Sequence, residues 1–467
     1  MNFKIINTTI RLSINLLLIT LTLPAFAQKA DLWLTTAARN KNFELQQTPL
    51  EFNPVKANST LIAVDPTQAF QTMDGFGYAL TGGSAELMMK MSPQARTALI
   101  KEVFGLKGNS IGVSYLRLTM GSSDMNERVF TYDDLPQGET DGQLSKFNLG
   151  PDLNDVVPAL KEILAVTKDI KIMATPWSAP SWMKSSNNPK GGNLLTKWYR
   201  AYANYFVKYI EAMKKESITI DAITIQNEPL NERNTPSMQM TAVEEDTFIK
   251  TALGPAFAAA GIKTKIILFD HNCDTPEYPM SILADTAAAK YADGSGFHLY
   301  AGTIDAMTKV HDVFPSKNLY FTEQMVIERH GETIDMPVER LVIGAPLNWS
   351  RNVILWNFAA DPNDEPHTND GGCPFCQGAV TIDGDLVTKN IAYYAIAHAS
   401  KFVRPGSVRI ASTSNKDLPN VAFTTPQGKT VLIVANVSGR PQSFDIGFNG
   451  KFAAAQLKSG SVGTYVW

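Results

Sequence analysis

Cysteine is scarce, with three residues in 467. That excludes a disulfide-stapled miniature scaffold, which a chain of this length does not need. Neither sign of charge dominates: Lys+Arg is 42, Asp+Glu is 45, and the formal net charge is -3. There is no electrostatic case for nucleic acid or for an anionic membrane surface, so the expected partner is neutral or small. No apolar run reaches the roughly 20 residues that cross a bilayer, so no stable membrane insertion is expected. The 31 glycines have no three-residue period, which excludes collagen. With 44% hydrophobic and 19% charged residues, wholesale disorder is excluded as well. No short repeat or low-complexity tract is present.

What the chain does have begins with an address. Residues 1–27 carry Lys4 and Arg11, then a mostly apolar stretch from Leu12 to Leu23, then Ala25-Phe26-Ala27. This is the pattern of a secretory signal peptide, with cleavage expected near Ala27. Gln28 follows the cut, not a cysteine, which argues against a lipid anchor. The expected mature chain has 440 residues, with 40 basic and 45 acidic ones, and is exported to an oxidising compartment, periplasmic or extracellular.

The rhythm of the mature chain changes along its length. From Ser407 onward, short runs such as Val421-Ala422-Phe423-Thr424 and Val431-Leu432-Ile433-Val434 alternate with turn signals such as Pro426-Gln427-Gly428. That spacing predicts an antiparallel sandwich. Leu61-Ile62-Ala63-Val64 cannot bury its apolar face alone and is expected to join it. Between the two lie eight short apolar runs, beginning at Gly75, Tyr115, Ile172, Ala222, Ile266, Gly296, Leu319 and Val353. Helical patterns separate them, such as Tyr199 to Met213. Strand–helix alternation of this kind predicts a (β/α)₈ TIM barrel with long loops. The competing open doubly wound sheet should begin with a phosphate-binding turn. Gly75-Phe76-Gly77 lacks the third glycine of that turn. The expected layout is residues 1–27 as leader and 28–72 as strands donated to the sandwich. The catalytic barrel then takes 73–402 and the C-terminal sandwich 403–467.

Barrel chemistry collects where strands end. After the fourth run comes Gln226-Asn227-Glu228-Pro229, and the seventh ends in Phe321-Thr322-Glu323. Two carboxylates at one mouth suit glycoside hydrolysis, in which one protonates the departing oxygen and the other attacks the anomeric carbon or activates a water. Each alone reads as a surface glutamate; together, with Asn227 beside the first, they read as catalytic. Asn227 can reach a sugar 2-OH. Trp177 sits in a Pro-bounded loop and is expected to offer an exposed indole to a sugar ring. Trp182 reads equally as a core residue. His298 and Tyr300 end the sixth run and are expected to bind substrate; Tyr300 can hydrogen-bond a carboxylate nucleophile, and His298 reads alternatively as a satisfied core histidine. Trp356 ends the eighth run and can floor the pocket, whereas Arg117 can pair with a carboxylate. Asp270-His271 ends the fifth run with no role apparent.

These residues lie in an ordered set of motifs. They are Asp74-Gly75-Phe76-Gly77, Arg117 to Asp124, Ala174 to Met183, Gln226 to Pro229, Phe297 to Tyr300, Phe321 to Glu323 and Ser400 to Ser407. The set resembles glycoside hydrolase family 30, the family of glucosylceramidases and β-1,6-glucanases, over nearly the whole mature chain. The resemblance implies a (β/α)₈ barrel joined to a β-sandwich built from both chain ends, and a retaining mechanism with Glu228 as acid/base and Glu323 as nucleophile. It places Asp124, Trp177, Asn227 and Trp356 on glycone-binding positions. It implies no cofactor and no metal. Substrates expected from it are a β-glucoside, a β-glucan or a glycolipid. Gly371-Gly372-Cys373-Pro374-Phe375-Cys376 resembles the bacterial branches, which include exo-acting β-glucosidases and endo-β-1,6-glucanases.

The spacing of Cys373 and Cys376 fits a short-loop disulfide, a redox pair or half a metal site; export favours the disulfide. Cys273 is left over as a buried thiol. A rival to the enzyme is a non-catalytic glycan-binding protein using the same groove, which would require the loss of a carboxylate.

Overall fold

The computed structural model describes Met1 and residues 28–467, so the leader sequence lies outside the described residues. Eight parallel strands close into a barrel, in the ring order of the chain. They are Gly75–Leu80, Tyr115–Thr119, Lys171–Thr175, Ala222–Thr224, Lys265–Cys273, Ala292–Gly302, Asn318–Glu323 and Ser350–Leu355. All eight coincide with apolar runs of the sequence. Gly77 shows why the first is glycine-rich. A Cβ there would sit 1.8 Å from the Tyr115 carbonyl oxygen, so only glycine lets strands one and two pair this closely.

Crossover helices start where the side chains dictate. Ser92 caps Pro93–Phe104 by accepting from the Ala95 N–H, with proline in the first turn, where its missing N–H costs nothing. Tyr199–Lys215 turns Tyr202, Tyr205, Phe206, Tyr209 and Met213 inward, the stripe expected of a helix packed on a barrel.

Ten of the remaining strands form one antiparallel-rich sheet that folds over on itself as a sandwich, and Ala359–Ala360, Val380–Asp383 and Leu386–Lys389 form a small sheet of their own. Both chain ends build it. Lys29–Thr35 pairs antiparallel with Val462–Val466, and Leu61–Thr72 lies between Val408–Ser412 and Gln442–Phe448. Alternation along its strands explains how it joins the barrel. In Thr430–Ala435, Val431 and Ile433 belong to the core shared with the barrel. Leu432 and Val434, pointing the other way, fill the core of the sandwich. A strand buried on both faces reads as a continuous apolar run, as this one does. Among the described residues, no helix is long and apolar enough to cross a membrane.

Candidate active site

The carboxyl ends of the barrel strands open into a cavity of about 570 Å³. Glu228 and Glu323 both line it. Glu228 follows strand four with φ of 45°, and its N–H donates to the Asp270 carbonyl at 3.0 Å. Asp270 and its neighbour Phe269 have φ of 61° and 70° inside strand five, so two adjacent strands depart from regular geometry at one level. Buried Glu245 accepts the Phe269 N–H at 3.1 Å and secures that irregularity from behind. Glu323 is the last residue of a regular strand.

Arg117, fully buried in strand two, ties the mouth together. It donates to Glu323 Oε2 at 2.6 Å, to Asn227 Oδ1 at 2.7 Å and to Asp270 Oδ2 at 2.8 Å. With its oxygen taken, Asn227 has its NH₂ left for a ligand in the cavity. Tyr300 donates to Glu323 Oε1 at 2.9 Å. Glu323 therefore receives one hydrogen bond on each oxygen.

His298 does not line the cavity, contrary to its expected place against substrate. It is fully buried behind the glutamates, with Nδ1 3.2 Å from Glu228 Oε1 and Nε2 3.1 Å from Asp270 Oδ1. Burial opposes charge on the ring, but the Glu323 charge and the two carboxylate bonds outweigh it and raise His298 to about 9. Glu228 responds in the opposite sense. Burial would raise it, yet the bond and charge of His298, with help from His271 and Asn231, bring it down to about 2. Glu323 is raised by burial against the opposing charges of His298 and Arg117. A proton thus rests on the imidazole beside Glu228. One ligating atom each from Glu228, His298 and Glu323 falls within 4.8 Å of the other two. In the structure both His298 ring nitrogens are engaged by carboxylate oxygens of Glu228 and Asp270.

Trp177 is buried at 2% exposure, not exposed as expected. Trp356 stacks against it at 5.3 Å and the Arg117 guanidinium lies 4.9 Å from its ring. Arg117 also lies 5.8 Å from the Trp356 ring, so it sits beside the stacked pair, and the Trp177 indole lines the cavity. Its Nε1 and Asp124 Oδ1 are both buried, line the same cavity and have no hydrogen-bond partner among the described residues. Unpartnered polar atoms on the lining of one cavity suit the hydroxyls of a sugar. Burial, with the Glu323 and Glu228 charges, pushes Asp124 up to about 8. Trp182 is a core residue: its N–H donates to the Asp133 carbonyl and its ring packs edge-on against Trp198.

Sequence reasoning left Asp270 and His271 without roles and passed over Asn231. Asp270 anchors both Arg117 and His298. His271 lines the cavity, and the Asn231 amide donates to Glu228 Oε2 at 2.6 Å. For the first two, position at the end of strand five was the available signal. Cys373 and Cys376 are joined by a disulfide and line the cavity. Cys273 is buried, its thiol pushed up to about 12 by burial.

A closed (β/α)₈ barrel with two buried carboxylates facing across its mouth, amid open sugar-sized hydrogen-bonding groups, defines a glycoside hydrolase. Comparison with known proteins agrees. Residues 73–403 match the model of the glycosyl hydrolase family 30 TIM-barrel domain, and residues 406–465 match that family's β-sandwich domain. The chain belongs to glycosyl hydrolase family 30. It is 34% identical over 415 residues to an endo-1,6-beta-D-glucanase of Neurospora crassa, covering 85% of this chain and 83% of that one. It is 28% identical over 461 residues to the lysosomal acid glucosylceramidase of Mus musculus, covering 90% and 86%. The structure of the endo-beta1,6-glucanase BT3312 superposes with a TM-score of 0.86 at 33% identity, covering 94% of this chain and 99% of that one. The protein is accordingly a β-glycosidase.

Proposed function

We propose that the protein is an exported, retaining β-glucosidase of the β-1,6-glucan type, with Glu323 as nucleophile and Glu228 as acid/base. The carrying observation is the approach of the two side chains, an oxygen of each within 4.8 Å of the other. Retaining enzymes hold their carboxyl groups about 5–5.5 Å apart, whereas inverting ones leave about 6.5–9.5 Å for a water.

Asp124, Trp177 and Asn227 hold the glucosyl ring at the cavity floor, with the Trp356 indole behind. Tyr300 and Arg117 orient Glu323 for attack on the anomeric carbon. The acid step needs a proton on Glu228. His298 Nδ1 supplies it across 3.2 Å as the leaving oxygen takes a proton from Glu228, and the proton that Glu228 later takes from water passes back to His298. The glycosyl–Glu323 bond is then broken by a water that Glu228 deprotonates, and the β configuration returns.

The cavity rim favours a polysaccharide over a ceramide. It carries Asn231, Arg233, Asn234 and Asn272, with Leu230 and Phe375 as the exposed apolar members. A lipid aglycone would call for a broad apolar rim. The relatives named endo-1,6-beta-D-glucanase support the same linkage.

Proton NMR of the first product released tests the stereochemistry. The expected signal is the β anomer, and initial release of the α anomer would overturn retention. Parallel assays with β-1,6-glucan, an aryl β-glucoside and glucosylceramide test the linkage. Reducing sugar is expected fastest from the glucan. Preferential turnover of glucosylceramide would overturn that part of the reading.

A further inference from the structure

The loop after strand eight carries the Cys373–Cys376 disulfide, which the chemistry above does not use. This loop reaches across the mouth. The Thr368 N–H donates to the Asp124 carbonyl at 2.8 Å and its hydroxyl donates to the Thr235 carbonyl at 2.9 Å. Gly371, at φ of 78°, lies so close to the loop after strand four that a Cβ would stand 2.2 Å from the Arg233 oxygen. Loops from opposite sides of the barrel therefore meet above the site, and strand four is the one that delivers Glu228.

The disulfide fixes what this loop presents. Cys376 is buried against the Trp177–Trp356 pair, its Sγ 3.8 Å from Met325 Sδ. Two residues of the four-residue ring, Pro374 and Phe375, lie between the sulfurs. Phe375 is 43% exposed although it borders a cavity it could collapse into. A phenyl ring normally hides from water. Here the crosslink and the proline deny the chain the freedom to turn it inward. Preorganisation of this kind lowers the ordering cost of binding.

We propose that Phe375 is the stacking platform for the sugar on the leaving-group side of the scissile bond. This inference rests on the β-glucan reading. The open polar atoms of Asp124 and Trp177 fix the glucosyl ring at the buried floor, so the next sugar of the chain must lie at the rim. Phe375 stands at that rim, its ring 6.0 Å from that of His330 in the loop after strand seven, and its own loop meets the strand-four loop at Gly371. The apolar C–H face of a pyranose covers an aromatic ring without needing a polar handle. Arg233 and Asn234 lie near enough on the same rim to meet its hydroxyls.

The test compares a β-1,6-linked glucose trisaccharide with β-glucosyl fluoride, whose leaving group is too small to touch the rim. Phe375→Ala is expected to lower kcat/KM on the trisaccharide about 10-fold, with the fluoride changed by less than about 2-fold; this corresponds to one stacking contact of about 1.4 kcal/mol. Phe375→Trp should restore the trisaccharide rate. Cys373→Ser/Cys376→Ser should show a smaller loss of the same selectivity. Unchanged trisaccharide turnover in Phe375→Ala would overturn the platform, as would equal losses on both substrates. If the parent enzyme cleaves the fluoride but no β-1,6-linked sugar, the linkage reading fails and the platform falls with it.

Discussion

Glu323 accepts from Arg117 on one oxygen and from Tyr300 on the other, which aims the carboxylate without leaving it a free rotor. Glu323→Gln keeps that shape and removes the charge. Turnover should be lost while the protein still unfolds in one cooperative transition. Glu228→Ala should behave differently. Activity on unactivated glucosides should fall by about 10²–10⁴-fold, the range of a lost general acid. Aryl glucosides with good leaving groups should retain initial glycosylation, and added azide should speed turnover and yield a β-glucosyl azide. Equal behaviour of the two variants in a burst assay would refute the assigned roles. At this scale the glutamates, Asn227 and Tyr300 were legible because residue type and strand-end position together narrow the chemistry. Trp177 was misread as exposed, and His298 as touching substrate. Their places depend on neighbours contributed by other strands, and one strand's sequence does not say which partner faces it across the ring.

Among the elements, the eight strands were legible as short apolar runs, since a barrel strand is buried on both sides and can tolerate little else. The turns of backbone at Glu228, Phe269 and Asp270 were not. Positive φ at non-glycine residues contradicts local preference and survives only under outside restraint, here from Glu245 and the Arg117 network. The helix Ile391–Ser400 shows another restraint of this sort. Its fully buried His398 meets the Thr464 and Thr35 hydroxyls at 2.8 Å each, linking the barrel to two adjacent strands of the sheet. Burial lowers His398 from 6.5 to about 3, so the fold accepts only the neutral ring. The unfolded chain binds this proton below about pH 6.5 and the folded chain does not. Stability from this group is thus complete above pH 6.5 and declines as pH falls toward 3, by about 2 kcal/mol at pH 5. His398→Gln should be less stable at pH 7, yet lose less between pH 7 and pH 5 than the parent does. An equal loss of unfolding free energy in the two proteins between pH 7 and pH 5, measured by urea titration, would refute the assignment.

For the whole molecule, the barrel and the sandwich share one core. Val421, Phe423, Val431 and Ile433 of the sheet belong to the same buried cluster as the barrel helices. A chain ending at residue 403 would expose that contact, and it should be recovered aggregated or unfolded. The complete protein should melt in a single calorimetric transition; two resolved transitions would show the parts to be independent. The sequence made both parts recognisable, because alternating strands and strand–helix units have different periods. It did not show that strands such as Thr430–Ala435 are covered on both faces, since an apolar run does not name the surface it meets.

The pairing of Lys29–Thr35 with Val462–Val466 also sets an order in time. One edge of the first strand of the sheet finds its partner only after the whole barrel has been made. Synthesis at about 5–20 residues per second leaves that edge open for tens of seconds, although the strand's other edge can pair at once with Glu44–Leu45 and Leu50–Glu51. The sheet therefore cannot close on a growing chain. For a protein proposed to leave the cytoplasm, the delay keeps the sheet open until Val462–Val466 has been added.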